Sequence, residues 1–150
     1  MESYRNLHPA GLRGLVFDID DTVTRNGVLE PSAYAAMHQL AKAGFELIAV
    51  TGRPLGWADV VARHWPVRIA IGENGAGWSS VDGNRFREGY FSGEEERRQQ
   101  ASLLDRIREE VSRVMPHVRV SSDDRARRCD LAFDVGELVS LPRTDIDALV

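Results

Sequence analysis

The chain has 150 residues, 43% of them hydrophobic and 28% charged, and we expect one globular domain with a small inserted unit. Its apolar runs are shorter than the ~18 residues of a membrane helix, and its N-terminus lacks a signal peptide's apolar segment. The net charge is −4, and acidic and basic residues are mixed along the whole chain. We therefore expect no membrane and no nucleic acid as partner, and the single cysteine, Cys129, excludes an internal disulfide and favours the cytoplasm.

Residues 1–76 alternate between short apolar runs and helical patterns. The apolar runs predict buried parallel strands at residues 14–20, 45–50 and 67–71. Helical spacing predicts one helix from Pro31 to Gly44, and Pro54 opens a second helix. This alternation is typical of a doubly wound, Rossmann-like α/β sheet, which is our expectation for this part of the chain.

Residues 77–150 predict a smaller α+β unit. Its expected elements are a hairpin at Asp82-Gly83, a helix with a capping box at Ser92 and Glu95, strands at 118–120 and 131–135, and a helix from Pro142. One apolar stripe follows the first helix of this unit, with Arg and Glu on its other faces: Leu104, Ile107, Val111 and Val114. A core of residues 1–76 followed by a second unit of residues 77–150 is therefore the predicted domain organisation.

The first strand ends in the acidic segment Asp18-Ile19-Asp20-Asp21-Thr22. Ligands of open α/β sheets bind at the carboxyl ends of strands, and side chains two residues apart share one face, so Asp18 and Asp20 are expected in one site. Two adjacent carboxylates repel each other, and a hard divalent cation such as Mg²⁺ relieves that cost. A carboxylate beside Mg²⁺ and a phosphate can attack phosphorus while a second carboxylate moves the proton.

Three other interpretations compete for this segment. Acids at a strand end can simply cap the next turn, which is the usual role of an isolated pair. A calcium loop would need Gly where the chain has Val23 and Glu where it has Leu29. A receiver-type phosphoacceptor domain would draw its acidic residues from different strands.

The end of the second strand favours a phosphate site. There Thr51, Gly52 and Arg53 supply a hydroxyl, an accessible backbone N–H and a guanidinium, all suited to phosphoryl oxygens. Pro54 then starts a helix whose N-terminus favours an anion. Alone, such a tripeptide is as often an ordinary turn, but with the acidic segment about 30 residues upstream it becomes much more specific.

Together these motifs resemble those of the haloacid dehalogenase superfamily of phosphohydrolases. Val16 to Val23 match its first motif and Val50 to Arg53 its second. The run from Ile71 to Ala76, followed by a hairpin, is similar to the subgroup with a cap inserted after the third strand. That subgroup includes phosphatases of sucrose phosphate, mannosyl phosphoglycerate and phosphoglycolate, and sugar phosphomutases.

The resemblance assigns roles residue by residue. It implies that Asp18 is the nucleophile that forms an aspartyl-phosphate, and that Asp20 protonates the leaving group and then activates water. Mg²⁺ would be held by the Asp18 carboxylate and the Asp20 backbone carbonyl. Phosphate or substrate would be bound by Thr22, Thr51, Gly52, Arg53 and Asn74. Asn74 also has an ordinary interpretation, because Asn-Gly is a common turn dipeptide, and Asp21 stands where the family most often has Gly.

Three arginines in the second unit leave two interpretations open. Arg125, Arg127 and Arg128 could bind an anionic part of the substrate, since guanidinium groups suit carboxylates and phosphates. They could equally balance the neighbouring acids Asp123 and Asp124 in a solvated loop, which is the interpretation we favour.

Two further motifs of the family are not found in these residues. They are a lysine that neutralises the phosphoryl oxygens and an acidic loop that completes the metal site. Lys42, the only lysine, precedes the second motif and is out of order. We therefore expect a truncated core and cap, with the remaining half of the core supplied by a longer polypeptide or a partner chain, and the strand carrying Asp18 at an exposed edge.

The resulting functional prediction is a Mg²⁺-dependent phosphomonoester hydrolase acting on a small phosphorylated metabolite, a sugar phosphate or a small organic phosphate. Little turnover is expected from residues 1–150 alone, because electrostatic stabilisation dominates phosphoryl transfer. The alternatives are a non-catalytic module that binds phosphate or Mg²⁺, and a sugar phosphomutase.

Overall fold

The structure is a computed structural model, and it describes residues 11–149. Their helices and strands are β1 (Gly14–Asp18), β2 (Thr24–Arg25), β3 (Val28–Leu29), α1 (Pro31–Lys42), β4 (Glu46–Val50), α2 (Leu55–His64), β5 (Ile69–Gly72), β6 (Gly77–Asp82), β7 (Arg85–Tyr90), α3 (Glu94–Val114) and α4 (Arg143–Leu149). None of these helices is both long enough and apolar enough to cross a bilayer.

One five-stranded sheet organises the fold, in the order β1-β4-β5-β6-β7. The first three strands are parallel, and β6 and β7 add to them in antiparallel pairing. Helix α1 packs against β4, and α2 packs against β5 and β6. The predicted α/β class is confirmed, with the three parallel strands and the two helices between them in the expected order.

Turn chemistry explains where these elements end. Pro54 precedes α2 as its N-cap, and Gly44, with φ of +89°, follows α1 in a left-handed conformation that Gly adopts freely. Gly83, with φ of +58°, closes the hairpin between β6 and β7, as Asp82-Gly83 predicts. The sheet thus runs on to Tyr90, past the predicted end of the first unit at residue 76, and the division into residues 1–76 and 77–150 stays a prediction.

Strand β1 forms one edge of the sheet. Within residues 11–149 it pairs only with β4. Leu15 and Val16 on this strand are 40% and 69% exposed. The expected exposed edge at the strand carrying Asp18 is therefore present, and it bears apolar side chains.

Several predictions for the second unit are wrong. The strands expected at 118–120 and 131–135 reduce to a single bridge between Val120 and Phe133, because the chain curls after Asp134, whose carboxylate accepts the backbone N–H groups of residues 136–138. The N-cap of α3 is Gly93, with no side-chain capping bond from Ser92. Helix α3 also has no fully buried residue along its expected apolar stripe, since it lies outside the main core.

Candidate active site

The two predicted motifs meet at one edge of the sheet. Asp18 is paired with Val50 in the parallel register of β1 and β4, so the loops that follow the two strands leave the sheet side by side. The Thr51 hydroxyl donates a hydrogen bond to the Asp20 carboxylate across 3.4 Å. The fold therefore brings the acidic segment and the Thr51–Arg53 loop into direct contact.

A tight turn presents the Asp18 side chain to solvent. The backbone carbonyl of buried Ile19 accepts the N–H groups of Thr22, Val23 and Thr24, which wraps the loop around one oxygen. The Thr22 hydroxyl donates to the Asp18 carboxylate over 3.3 Å. Asp18 is thus an exposed carboxylate with one weak side-chain donor, free to contact a ligand.

The position of Asp21 explains why glycine suits this motif. Its φ is +55°, in the left-handed region that most side chains avoid and that Asp tolerates better than most. Its backbone N–H donates to the Thr24 hydroxyl across 3.1 Å, which holds the turn. The departure from Gly is therefore compatible with the loop's geometry.

Thr51, Gly52 and Asn74 form one compact corner. Thr51 is only 3% exposed, and its hydroxyl accepts the Arg53 N–H at 3.0 Å. The Asn74 N–H donates to the Thr51 carbonyl at 3.2 Å. A Cβ atom on Gly52 would lie 3.0 Å from the Asn74 Oδ1, closer than packed atoms normally come, so a residue without a side chain fits there. The predicted phosphate-binding groups are therefore neighbours.

Arg53 is engaged by carboxylates from both halves of the chain. Its Nε lies 3.3 Å from the Asp20 carboxylate, and its Nη1 donates to Glu137 at 2.8 Å. The Glu137 hydrogen bond, and then Asp20, raise the pKa of Arg53 against the opposing effect of burial. Arg53 was predicted as a substrate-binding residue, and the structure places it as a bridge between the acidic loop and a later loop.

Two carboxylates beside Arg53 carry no sequence signal of a site. Asp123 Oδ2 lies 3.7 Å from Arg53 Nη1 and is a buried atom with no hydrogen-bond partner within residues 11–149. Glu137 is held by the turn that Asp134 organises, since its own N–H donates to the Asp134 carboxylate at 2.9 Å. Both residues are about 70 or more positions from Arg53 in sequence, so only the tertiary structure identifies them.

The N-terminus of α2 is occupied by an anion from the chain itself. Glu73 is 3% exposed, and its Oε1 accepts the N–H groups of Leu55 and Arg128, each at 2.8 Å. Its Oε2 accepts those of Cys129 at 2.6 Å and Asp130 at 3.0 Å. The sequence predicted that this helix end favours an anion, and in the structure the buried Glu73 carboxylate accepts the first N–H of the helix and fixes residues 128–130 to the sheet.

Arg127 and Arg128 pair with carboxylates, but not in the solvated loop that was expected, since the Arg127 side chain is only 8% exposed and Arg128 pairs with acids other than Asp123 and Asp124. Arg127 contacts Asp123 at 3.3 Å and Asp130 at 2.8 Å, and it donates to the Gly52 carbonyl at 3.2 Å. Arg128 contacts Glu88 at 2.9 Å and also Asp59. The positive charges of both arginines are therefore already compensated.

The donor set beside Asp18 fits a hard cation. The Asp18 carboxylate is exposed, and the Asp20 backbone carbonyl accepts no hydrogen bond from any of residues 11–149. Mg²⁺ in proteins usually keeps several waters and takes one or two carboxylates plus substrate phosphate. These two oxygens suit part of such a coordination shell, and the described part of the chain holds no cluster of three or more His, Cys, Asp or Glu residues suited to a metal.

Residues 15–104 match the family model of haloacid dehalogenase-like hydrolases. The chain belongs to this family. The predicted superfamily is thus confirmed, and the subgroup stays a prediction. No curated protein matches the chain.

A solved structure of a Thermoplasma acidophilum protein has the same fold as the present chain. It superposes with a TM-score of 0.69 over 92% of the present chain, at 19% sequence identity. At that identity the likeness concerns the fold alone. The chain spans 55% of the length of the Thermoplasma protein.

Cys129 is expected to react slowly with thiol reagents near neutral pH. Burial and the nearby charge of Glu73 raise the pKa of its thiol, so a smaller fraction is thiolate than in a free cysteine. Reaction with a chromogenic disulfide should be slower than that of glutathione at pH 7 and should reach the glutathione rate after denaturation. A native rate equal to that of glutathione would contradict this expectation.

Acid is expected to weaken the Asp123 contacts. Burial alone would raise the pKa of Asp123, but the Ser121 hydroxyl and the charge of Arg127 outweigh it, and the pKa is lowered. A carboxyl with a lowered folded-state pKa stabilises the fold above its unfolded pKa of about 4 and loses that contribution as pH falls through the folded value. Denaturant titrations between pH 6 and pH 3 should therefore show a smaller acid-induced loss for Asp123→Asn than for the unchanged protein. An equal acid-induced loss of stability in both proteins would contradict this role of Asp123.

Proposed function

We propose that this protein hydrolyses phosphate monoesters with Mg²⁺, through an aspartyl-phosphate formed on Asp18. One observation carries the proposal. The Asp18 carboxylate is exposed, and beside it the Asp20 carboxylate is contacted by Thr51 and Arg53 from the loop after the neighbouring strand. Family membership supports a hydrolase, and the small cavity beside Asp20 supports a small phosphorylated metabolite as substrate.

In the first step a carboxylate oxygen of Asp18 attacks phosphorus. The new P–O bond forms as the ester P–O bond breaks, and Asp20 gives its proton to the leaving oxygen. In the second step Asp20 takes a proton from water, whose oxygen attacks phosphorus and releases Asp18 with inorganic phosphate. One carboxyl thus serves as acid and then as base.

We assign Arg53 a role in this cycle through its contact with Asp20. In the structure its guanidinium contacts the Asp20 side chain at 3.3 Å. A bound phosphoryl group competes for the guanidinium, because charged phosphoryl oxygens are strong acceptors of its N–H groups. Substrate binding would in this way free Asp20 to carry the proton.

Mg²⁺ would be held by the Asp18 carboxylate and the Asp20 carbonyl, and when bound it neutralises charge on the phosphoryl oxygens. The Thr51 hydroxyl and the Gly52 N–H would orient the phosphoryl group beside it. Thr22, which donates to Asp18, would keep the nucleophile in its rotamer.

The free edge of β1 supports a further part of the proposal. Its exposed Leu15 and Val16, and the backbone groups that no other strand within residues 11–149 pairs, suit pairing with another strand, from the same polypeptide or from a partner chain. That complementing segment would also supply a lysine and an acidic loop to the site. An added strand should bury Leu15 and Val16, and it should raise the rate of phosphate release.

The test is incubation of the protein with Mg²⁺ and a panel of phosphate monoesters, with two readouts. Release of inorganic phosphate that chelation of Mg²⁺ abolishes supports the hydrolase. A phosphoryl adduct on the peptide containing Asp18, found by mass spectrometry after rapid quenching, supports the covalent intermediate even where turnover is slow. Isomerised sugar phosphate without release would indicate a mutase, and binding with neither adduct nor release would indicate a non-catalytic module.

A further inference from the structure

A cavity of about 310 Å³ opens beside Asp20. Asp20, Thr51 and Arg53 form one wall of it, and Asp123 and Glu137 from the segment after α3 contribute another. A space of this size suits the organic part of a small ester. We call it the acidic cavity, because three of its four charged lining residues are carboxylates.

The charge of the acidic cavity is negative and incompletely balanced. Arg53 is its only cationic lining residue among those described, and it faces Asp20, Glu137 and Asp123 at 3.3, 2.8 and 3.7 Å. Behind this wall Arg127 also contacts Asp123 at 3.3 Å, but it shares its charge with Asp130 at 2.8 Å. Two guanidinium groups thus face four carboxylates, and the balance stays negative. A phosphoryl group that draws Arg53 toward itself would leave Asp123 and Glu137 with still less compensation.

Asp123 leaves an unsatisfied acceptor at this wall. Its Oδ1 accepts the Ser121 hydroxyl at 2.7 Å, whereas its Oδ2 is buried and has no hydrogen-bond partner among residues 11–149. A buried charged oxygen without a donor is costly, and a ligand N–H that reaches it would remove that cost.

Trp57 and Trp65 line the same cavity. The face of an indole ring attracts cations, and the Arg53 guanidinium already lies 5.6 Å from the Trp57 ring centroid. The aromatic groups therefore favour the same sign of ligand charge as the carboxylates.

The neighbouring arginines do not reverse this preference. Arg127 and Arg128 pair with Asp123, Asp130, Asp59 and Glu88, so neither offers an uncompensated charge to a second anionic group. A carboxylate or second phosphate in the cavity would face Asp123 and Glu137 at close range, and like charges in a partly buried site repel strongly.

We propose that the acidic cavity binds the organic part of a phosphate monoester bearing an ammonium group, and that it discriminates against esters bearing a second anion. The proposal rests on the proposed function, because the phosphoryl group is taken to lie at Asp18 and Thr51. It adds the charge of the leaving group as a determinant of specificity, with Asp123 and Glu137 as the residues that set it.

Three esters of nearly equal size test the proposal: aminoethyl phosphate, hydroxyethyl phosphate and carboxymethyl phosphate. Each is titrated into the protein with Mg²⁺ by calorimetry and by tryptophan fluorescence, to which Trp57 and Trp65 in the cavity contribute together with Trp78 on β6. We expect aminoethyl phosphate to bind about tenfold or more tightly than carboxymethyl phosphate, with hydroxyethyl phosphate between them. The difference should shrink as salt is added.

Glu137→Gln and Asp123→Asn should each reduce the difference in affinity between aminoethyl phosphate and carboxymethyl phosphate. Glu137→Gln is the safer of the two variants. The Glu137 side chain is 49% exposed, and the substitution keeps the backbone N–H that donates to Asp134. Asp82→Asn is the matched control, since Asp82 ends β6 beside the hairpin turn, is 79% exposed and does not line the acidic cavity. It should leave the ranking unchanged.

The outcomes separate this proposal from the proposed function. Equal binding of the three esters, or tighter binding of carboxymethyl phosphate, would overturn the ammonium preference while leaving the phosphatase proposal in place. Binding of none of them, together with no binding of inorganic phosphate, would overturn both. A ranking that persists unchanged in Glu137→Gln and Asp123→Asn would overturn the assignment to these carboxylates.

Discussion

Substitution of Asp18 by asparagine is expected to lower the rate of phosphate release from the low level expected of residues 1–150 to that of the uncatalysed background. The amide has the shape of the carboxylate, and the Thr22 hydroxyl can still donate to its oxygen, so the loop keeps its geometry. The amide oxygen is not a competent nucleophile toward phosphorus, and the negative charge that would help hold Mg²⁺ is lost. Phosphate release and the phosphoryl adduct should disappear together.

Asp21→Asn is the matched control for Asp18→Asn. Asp21 lies in the same turn and is exposed, and its left-handed φ of +55° suits Asn as well as Asp. This variant should keep the phosphate-release rate within about twofold of the unchanged protein, since no role in the reaction is assigned to its side chain. Full activity in Asp18→Asn, or equal losses in both variants, would contradict Asp18 as the nucleophile.

Substitution of Glu73 by glutamine is expected to lower the free energy of unfolding by roughly 2–4 kcal/mol. The buried carboxylate accepts four backbone N–H groups, from Leu55 and residues 128–130. An amide retains one accepting oxygen and turns an NH₂ donor toward N–H donors that it cannot satisfy. Urea denaturation measures the loss, and hydrogen exchange should accelerate at residues 128–130 in particular.

Glu46→Gln provides the control for an ordinary glutamate. Glu46 is 54% exposed and pairs with Arg68 at 3.2 Å on the surface. Such a pair contributes less than about 1 kcal/mol, so its loss should change stability little. An unchanged stability of Glu73→Gln, or exchange at residues 128–130 as slow as in the unchanged protein, would contradict the role given to Glu73.

The sequence by itself determined the parallel sheet and the meeting of two loops. Apolar runs and helical spacing are local patterns, and they fixed the order of β1, α1, β4, α2 and β5. Because parallel strands end at the same edge of a sheet, Asp18, Asp20 and Thr51 could be placed near one another before any coordinates were known.

The elements of the second unit, residues 77–150, were harder to predict because they depend on tertiary contacts rather than on the spacing of apolar residues. The strands expected at 118–120 and 131–135 gave way to a single bridge between Val120 and Phe133, and directly after it the Asp134 carboxylate organises a turn by accepting the N–H groups of residues 136–138. The apolar stripe of α3 has helical spacing, yet spacing states which residues share a face and not what covers that face.

Only the tertiary structure decided how the two halves of the chain meet at the site. Arg53 suited a phosphate by its position, but its partners Asp123 and Glu137 lie about 70 or more residues away, and no local pattern encodes which loop returns to it. The N-terminus of α2 was expected to favour the anion of a phosphate site, and in the fold its first N–H is instead taken by the Glu73 carboxylate of the same chain. Chemistry at the strand ends follows from short-range sequence, whereas the charge around it follows from long-range packing.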